Sequence, residues 1–167
     1  MLTKLLLRLL DGAGLRNSKG KREAEHLRTG QRGEDAAYFY LREHGYVIVA
    51  RNWRSRRRKG EIDLIGWEGG TLCFVEVKTR STRDVKPAEA AVDRDKQREL
   101  RAMGREYVWR TSRNRRSRAT SATNDGGGSS QGDGQNGCRF DVVSVYYDSE
   151  RRRVTDITLF RNAFSVA

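Results

Sequence analysis

Apolar residues recur at helical spacing from Gly33 to Glu43: Ala36, Ala37, Tyr40 and Leu41 share one face, and Glu34 and Asp35 fill the opening turn, where acids complement the helix dipole. Gly45 ends that helix. The period then shortens. Tyr46 to Asn52 and Glu61 to Ile65 read as strands, Trp67-Glu68-Gly69-Gly70 as a turn, and Thr71 to Thr79 as a third strand, giving three antiparallel neighbours in a meander. Pro87, the single proline, stands where a helix start tolerates it, and Ala88, Val92, Leu100, Met103 and Tyr107 follow on one helical face. Arg139 to Tyr147 alternates as a strand, and Val154 to Phe160 supplies a last one. Helix, three strands, helix, two strands predicts an α/β fold with a sheet of about five strands flanked by helices.

The stretches without a period set the domain limits. Residues 11–30 are basic, polar and glycine-containing, so residues 1–29 are expected to be a flexible basic lead-in, with the Leu-rich Met1 to Leu10 as a frayed end. Between Thr111 and Gly137 the composition turns to Ser, Thr, Asn, Gly and Arg, the signature of a disordered insertion. The folded domain is therefore expected over 30–160, with 161–167 as a tail.

Charge narrows the partner. The 167 residues carry 34 Lys and Arg against 22 Asp and Glu, a net +12 dominated by arginine, which favours a polyanion. Six of the nine residues from Arg51 to Lys59 are basic (Arg51, Arg54, Arg56, Arg57, Arg58 and Lys59), surrounding Trp53, which suits a loop gripping phosphates, although a merely solvated run and a core Trp53 are the plain alternatives. Arg110 to Arg118 is a second basic cluster, in sequence read as flexible, where it adds only nonspecific attraction. Cys73 and Cys138 lack metal or disulfide spacing, so Cys73 reads as a core residue in a reducing, cytoplasmic setting. His26 and His44 read as surface residues. No run of about 18 apolar residues is present, which speaks against a membrane partner.

Strand alternation then brings acids together. Phe74, Glu76 and Lys78 share one face and Cys73, Val75 and Val77 the other; in the preceding strand Glu61, Asp63 and Ile65 share a face. A short turn makes the two strands neighbours, so Asp63 approaches Glu76. Two such carboxylates repel unless a proton or cation intervenes, and Mg²⁺ needs few protein oxygens. A solvated salt bridge is the alternative for this trio. Glu34 shares a face with Ala37, Tyr38 and Leu41 and so tilts inward, though a first-turn acid also simply serves the dipole. Lys96, between Val92 and Leu100, must snorkel or meet a phosphate or an acid. Asp141, facing with Val143 and Val145, reads as a structural acid.

Gly60-Glu61-Ile62-Asp63-Leu64-Ile65 and, with twelve residues between Asp63 and Glu76, Glu76-Val77-Lys78 resemble the core motif of PD-(D/E)XK nucleases, without the proline before the aspartate. Gly33-Glu34, Gly45-Tyr46, Arg51-Asn52-Trp53-Arg54, Phe74 to Arg80 and Arg139-Phe140-Asp141-Val142-Val143 further resemble the bacterial YraN-type family of predicted endonucleases, similar to archaeal Holliday-junction resolvases. The resemblance implies a restriction-endonuclease-like core with a mixed sheet. It implies a metal-dependent endonuclease acting on DNA, structured or branched DNA included, with RNA processing or a non-catalytic binding module as alternatives. It implies Asp63, Glu76 and the Val77 carbonyl as ligands for Mg²⁺, or Mn²⁺ in its place, Lys78 beside the attacking water and Glu34 as a further acid. Arg80 and Lys96 join the basic run as expected nucleic-acid contacts, and the resolvase likeness makes a homodimer the expected assembly.

Overall fold

The computed structural model describes residues 2–80, 92–122 and 137–165. Pro87, Ala88, the glycine-rich stretch 123–136, the last tail residues 166–167 and the side chain of His26 lie outside the described residues.

The chain opens with one long helix, α1 (Leu2–Glu43), where apolar periodicity predicts a helix only from Gly33 and a flexible lead-in before it. The run contains no proline and is rich in Leu, Ala, Lys, Arg and Glu, whose intrinsic preference favours a helix. Gly45, at φ +86°, ends it, and the His44 amide donates to the Tyr40 and Leu41 carbonyls at 3.1 and 3.0 Å.

Five strands follow: β1 (Tyr46–Arg54), β2 (Glu61–Glu68), β3 (Thr71–Arg80), β4 (Cys138–Asp148) and β5 (Arg153–Phe164), with helix α2 (Arg94–Ala122) between β3 and β4. They form one sheet in the order β1-β2-β3-β4-β5. Pairing is antiparallel except between β3 and β4, which run parallel, as a connection carrying a helix permits. The expected α/β class, mixed five-stranded sheet and flanking helices are all present. Trp67 and Glu68 remain in β2, so the turn shrinks to Gly69-Gly70, with Gly69 at φ +57°.

Asp93 starts α2 by accepting the Lys96 amide on Oδ1 at 2.8 Å. The helix then runs well beyond Thr111 into the expected insertion, because Thr111 to Ala122 holds neither glycine nor proline and Thr111 Oγ1 bonds back to the Tyr107 carbonyl at 2.9 Å. At the other end of the chain β5 continues past Phe160 into the expected tail, since Ala163 and Phe164 are apolar and buried.

The two helices cover opposite faces of the sheet. Ala37 and Leu41 of α1 pack on Leu64, Cys73, Val75, Val143 and Val145, whereas Leu100 and Met103 of α2 pack on Ile62, Ile65, Phe74, Phe140 and Val142. Consecutive residues of β3 and β4 therefore alternate between two cores, as central strands of a mixed sheet must. Phe74, Phe140 and Phe164 stack in sequence at centroid distances of 5.2 and 4.8 Å. Cys73 is fully buried and its thiol is pushed up to about 12 by burial and by Asp141, in keeping with a core role. Among the described residues no helix is long and apolar enough to cross a membrane.

One glycine sets how closely α1 approaches β3. A Cβ on Gly33 would stand 1.9 Å from Thr79 Oγ1, so only glycine lets the helix lie against the end of that strand.

Candidate active site

The ladder between β2 and β3 stops at Leu64↔Val75, although β2 begins three residues earlier and β3 continues to Arg80. The strands part at that point. Asp63 fills the gap: its Oδ2 accepts the Val77 amide at 2.6 Å, a bond from a side chain where a strand partner would otherwise be. A residue's N–H and C=O lie on the same edge of an extended strand, so the Val77 carbonyl faces the same gap.

Strict alternation fails across Asp63. Ile62 and Ile65, an odd number of residues apart, both belong to the α2-side core, so Glu61, Asp63 and Ile65 do not share a simple face as the pattern predicts. The distortion has a visible source in β1, where Asn52 lies between the pairs Arg51↔Leu64 and Trp53↔Ile62, opposite Asp63, in the left-handed region at φ +49°. Asparagine tolerates that conformation better than most residues. Its side chain lies near enough to Glu34 to oppose the rise in that acid's pKa, which sets α1 beside the kink.

Alternation does hold in β3. Glu76 lies on the face of Phe74 and α2, is 4% exposed, and accepts Lys78 Nζ on Oε1 at 2.8 Å. From α2, Lys96 Nζ reaches Glu76 Oε2 at 3.5 Å and donates to the Glu61 carbonyl at 3.3 Å, so the lysine on the apolar face finds an acid. That distance is an ion pair, not a hydrogen bond, and Oε2 is buried without a hydrogen-bond partner.

The electrostatics record how crowded the acids are. Burial, then the Glu76 carboxylate, push the Asp63 carboxyl up to about 7, with Glu34 adding to the rise and the Val77 amide and Lys96 opposing it. Burial lifts Glu34 as well, helped by Glu61 and Asp35 and opposed by Asn52 and Arg51. Glu34 therefore reaches the site through the field it exerts on Asp63.

Three of the basic candidates turn out to be tied to acids. Arg51 pairs with Asp35 and lies 4.9 Å over the Tyr38 ring, Arg54 Nε holds Glu61 Oε2 at 2.8 Å, and Lys96 holds Glu76. Arg56, Arg57, Arg58 and Lys59 form the exposed β1–β2 loop, and Arg80 is half-buried at the end of β3, on the Glu76 and Lys78 face. Trp53 packs edge-on against Tyr107 at 5.4 Å and borders the α2-side core. Asp141 is the structural acid it reads as: fully buried, it accepts from Tyr46 Oη at 3.0 Å, Arg139 Nε at 2.9 Å and the Asn162 amide at 2.8 Å.

Asn52 and Glu61 are site residues that pattern reading passes over. An asparagine inside a β-branched run is the signal for the first; the second acts through its backbone carbonyl, which leaves no mark in a sequence.

Among the described residues no three His, Cys, Asp or Glu side chains stand together closely enough to hold an ion. The converging donors are two carboxylates and a strand carbonyl, all hard oxygens, one of them the orphaned Glu76 Oε2. This set fits Mg²⁺ or Mn²⁺, which retain waters and draw further oxygens from a phosphate, and does not fit zinc.

Comparison with known proteins agrees with the motifs. The sequence model of a family described as "Uncharacterised protein family UPF0102" matches residues 33–145. A UPF0102 protein of Koribacter versatilis (strain Ellin345) is 44% identical over 162 residues, spanning 97% of this chain and 94% of the relative. UPF0102 proteins of Chlorobium limicola and Caldicellulosiruptor saccharolyticus are 36% and 35% identical over 138 and 135 residues, spanning 81% of this chain and 90% and 95% of their own lengths. From the gap in the sheet to the Arg-Asn-Trp-Arg kink, the site thus lies within a span shared across the group, and the chain belongs to the UPF0102 family, the YraN-type family its motifs resemble.

Proposed function

We propose that this protein is a cytoplasmic, metal-dependent endonuclease that hydrolyses phosphodiester bonds in DNA, with branched or otherwise structured DNA as its substrate. The observation that carries this reading is the convergence of Asp63, Glu76 and Lys78 where the β2–β3 ladder stops, at the cost of holding a carboxyl at about 7. A fold seldom stores charge repulsion in a gap between two strands without a use for it.

Asp63, Glu76 and the Val77 carbonyl would hold Mg²⁺, or Mn²⁺ in its stead; the ion would supply a bound water of lowered pKa and counter charge on the scissile phosphate. The chain's own groups do the rest. Lys78, 2.8 Å from Glu76, orients the attacking water and keeps an ammonium beside the developing negative charge. Lys96 holds the second Glu76 oxygen and, through the Glu61 carbonyl, fixes the start of β2. Glu34, braced by Asn52, accepts a proton at the open side of Asp63. Arg80 and the Arg56 to Lys59 loop meet phosphates on either side of the cut.

Junction, flap, nicked, single-stranded and RNA substrates incubated with Mg²⁺ or Mn²⁺ test this reading, beside D63A and K78A. Cutting of structured DNA by the wild type and by neither variant is the expected result. Equal cutting by all three would mean a contaminant, and preferential cutting of RNA would move the proposal to RNA processing.

A second reading has one observation in its favour. Lys78 and Lys96 already compensate both oxygens of Glu76, which a nucleic-acid-binding module without turnover would also require. Binding of DNA by wild type, D63A and K78A alike, with no cleavage by any, would establish that module.

A further inference from the structure

The loop between β1 and β2 is laid along α2 and continues straight into the site. Ser55 Oγ donates to Glu106 Oε2 at 2.6 Å, Gly60 abuts Glu99 so closely that a Cβ would meet its carboxylate at 2.3 Å, and the Glu61 carbonyl receives Lys96. Between loop and helix runs an open groove bounded by Arg56, Arg57, Arg58, Arg105 and Arg110, with Trp109 on its rim. Among the described residues Arg56, Arg57, Arg58 and Arg105 have no acidic partner; the one acid in the groove, Glu106, is engaged by Ser55 and by Arg110 at 3.8 Å. A groove with four uncompensated guanidinium groups complements a phosphate backbone.

Trp109 is what gives the groove a preference. It is 54% exposed, although Leu100, Met103 and Tyr107 already bury the sheet-facing side of α2, so the fold does not call for an indole there. Arg113 lies 4.8 Å over its ring, so the indole stands in a stack with a guanidinium on a helix. Exposed aromatic rings beside basic side chains are the platforms on which unpaired bases stack. A base inside a duplex has no free face to offer.

We infer that the groove between the Arg56 to Arg58 loop and α2 is a track for single-stranded nucleic acid, with Trp109 stacking an unpaired base. From Lys96 to Trp109 α2 advances about 20 Å at 1.5 Å per residue. The substrate class thereby sharpens to nucleic acid with a single-stranded arm beside the cut. The inference rests on the nuclease reading only for the position of that cut; the binding itself is separable from it.

The test is fluorescence anisotropy of the full chain in EDTA with labelled dT20, U20, a blunt 20-base-pair duplex and the same duplex bearing a ten-nucleotide arm, for wild type, W109A and W109F. W109A should weaken dT20, U20 or the armed duplex about tenfold and the blunt duplex less than twofold. W109F, which keeps a ring, should recover most of the loss. Quenching of intrinsic tryptophan fluorescence by dT20 should disappear in W109F. Equal weakening of blunt duplex and dT20 by W109A, or quenching that persists in W109F, would overturn the track. Trp109-dependent binding without cleavage would refute the nuclease reading and leave the track standing; cleavage indifferent to W109A on armed substrates, with unchanged dT20 binding, would do the reverse.

Discussion

Replacing Asp63 with asparagine should stabilise the protein while removing its proposed chemistry. The carboxyl is held at about 7 against an ordinary 3.8. At 1.36 kcal/mol per pH unit, that rise means deprotonating Asp63 in the folded state costs about 4 kcal/mol more than in the unfolded chain. The sign follows from proton counting. Between pH 4 and 7 the folded state keeps a proton that the unfolded state has lost, so stability falls as pH rises through that window and the full cost is present above it. An asparagine keeps an oxygen for the Val77 amide, now 2.6 Å away, and carries no charge to repel Glu76 or Glu34.

Urea denaturation in EDTA at pH 5 and pH 8 measures this. Wild type should lose about 2 to 3 kcal/mol between the two, since only the stretch from pH 5 to about 7 is crossed at 1.36 kcal/mol per unit, whereas D63N should lose about half of that or less. Glu34 is raised too and contributes with the same sign, so E34Q measures its share separately. Glu68 and Asp148 are lowered by their arginine and backbone partners and lose their contributions only as pH falls below the carboxylate range, outside the window. Saturating Mg²⁺ should then raise the wild-type midpoint at pH 8 and leave D63N close to its metal-free value. A wild type with no pH dependence between 5 and 8, or a D63N less stable than wild type at pH 8 in EDTA, would refute the account of a strained acid pair.

Three further changes separate structural from chemical roles. K78M should abolish cleavage and cost about 1 to 3 kcal/mol of unfolding free energy, because it leaves the buried Glu76 carboxylate without its one hydrogen-bond donor; calorimetry beside the cleavage assay checks both. G33A should cost about 1 to 3 kcal/mol by driving a methyl into Thr79 Oγ1, and T79A in the same chain should restore part of it in a double-mutant cycle. D141A should cost about 3 to 5 kcal/mol by stranding Arg139 and the Tyr46 hydroxyl, with no specific effect on metal or nucleic-acid binding in whatever fraction stays folded.

The legible parts of this chain were those governed by period and composition. Ala37 and Leu41, Leu100 and Met103, and the alternating β3 and β4 stand in the cores their spacing predicts. The reach of the helices was not legible, because the glycines and polar residues before Gly33 and the Ser, Thr, Asn and Arg composition beyond Thr111 read as non-helical, whereas both runs lack proline and continue as helix. Nor could spacing show that Arg51 and Arg54, counted within a phosphate-gripping run, would spend their charge on Asp35 and Glu61.

The same contrast explains how the site arises. Had β2 obeyed the two-residue period throughout, Asp63 would project from a sheet face and its edge would be closed by a backbone ladder. Asn52, in a conformation most side chains avoid, breaks the period opposite Asp63, and the ladder to β3 ends one residue later. The carboxylate then turns into the plane of the sheet to satisfy the Val77 amide, which brings it to Glu76. Glu34 braces the kink from α1, Gly33 permits that helix to approach, and Lys96 pins the far side from α2. The acid pair is therefore a product of a local failure of strand geometry held in place from both layers. Substitutions at Asn52 and Gly33, neither of which carries a reactive group, should accordingly disturb the site as surely as substitutions at the acids themselves.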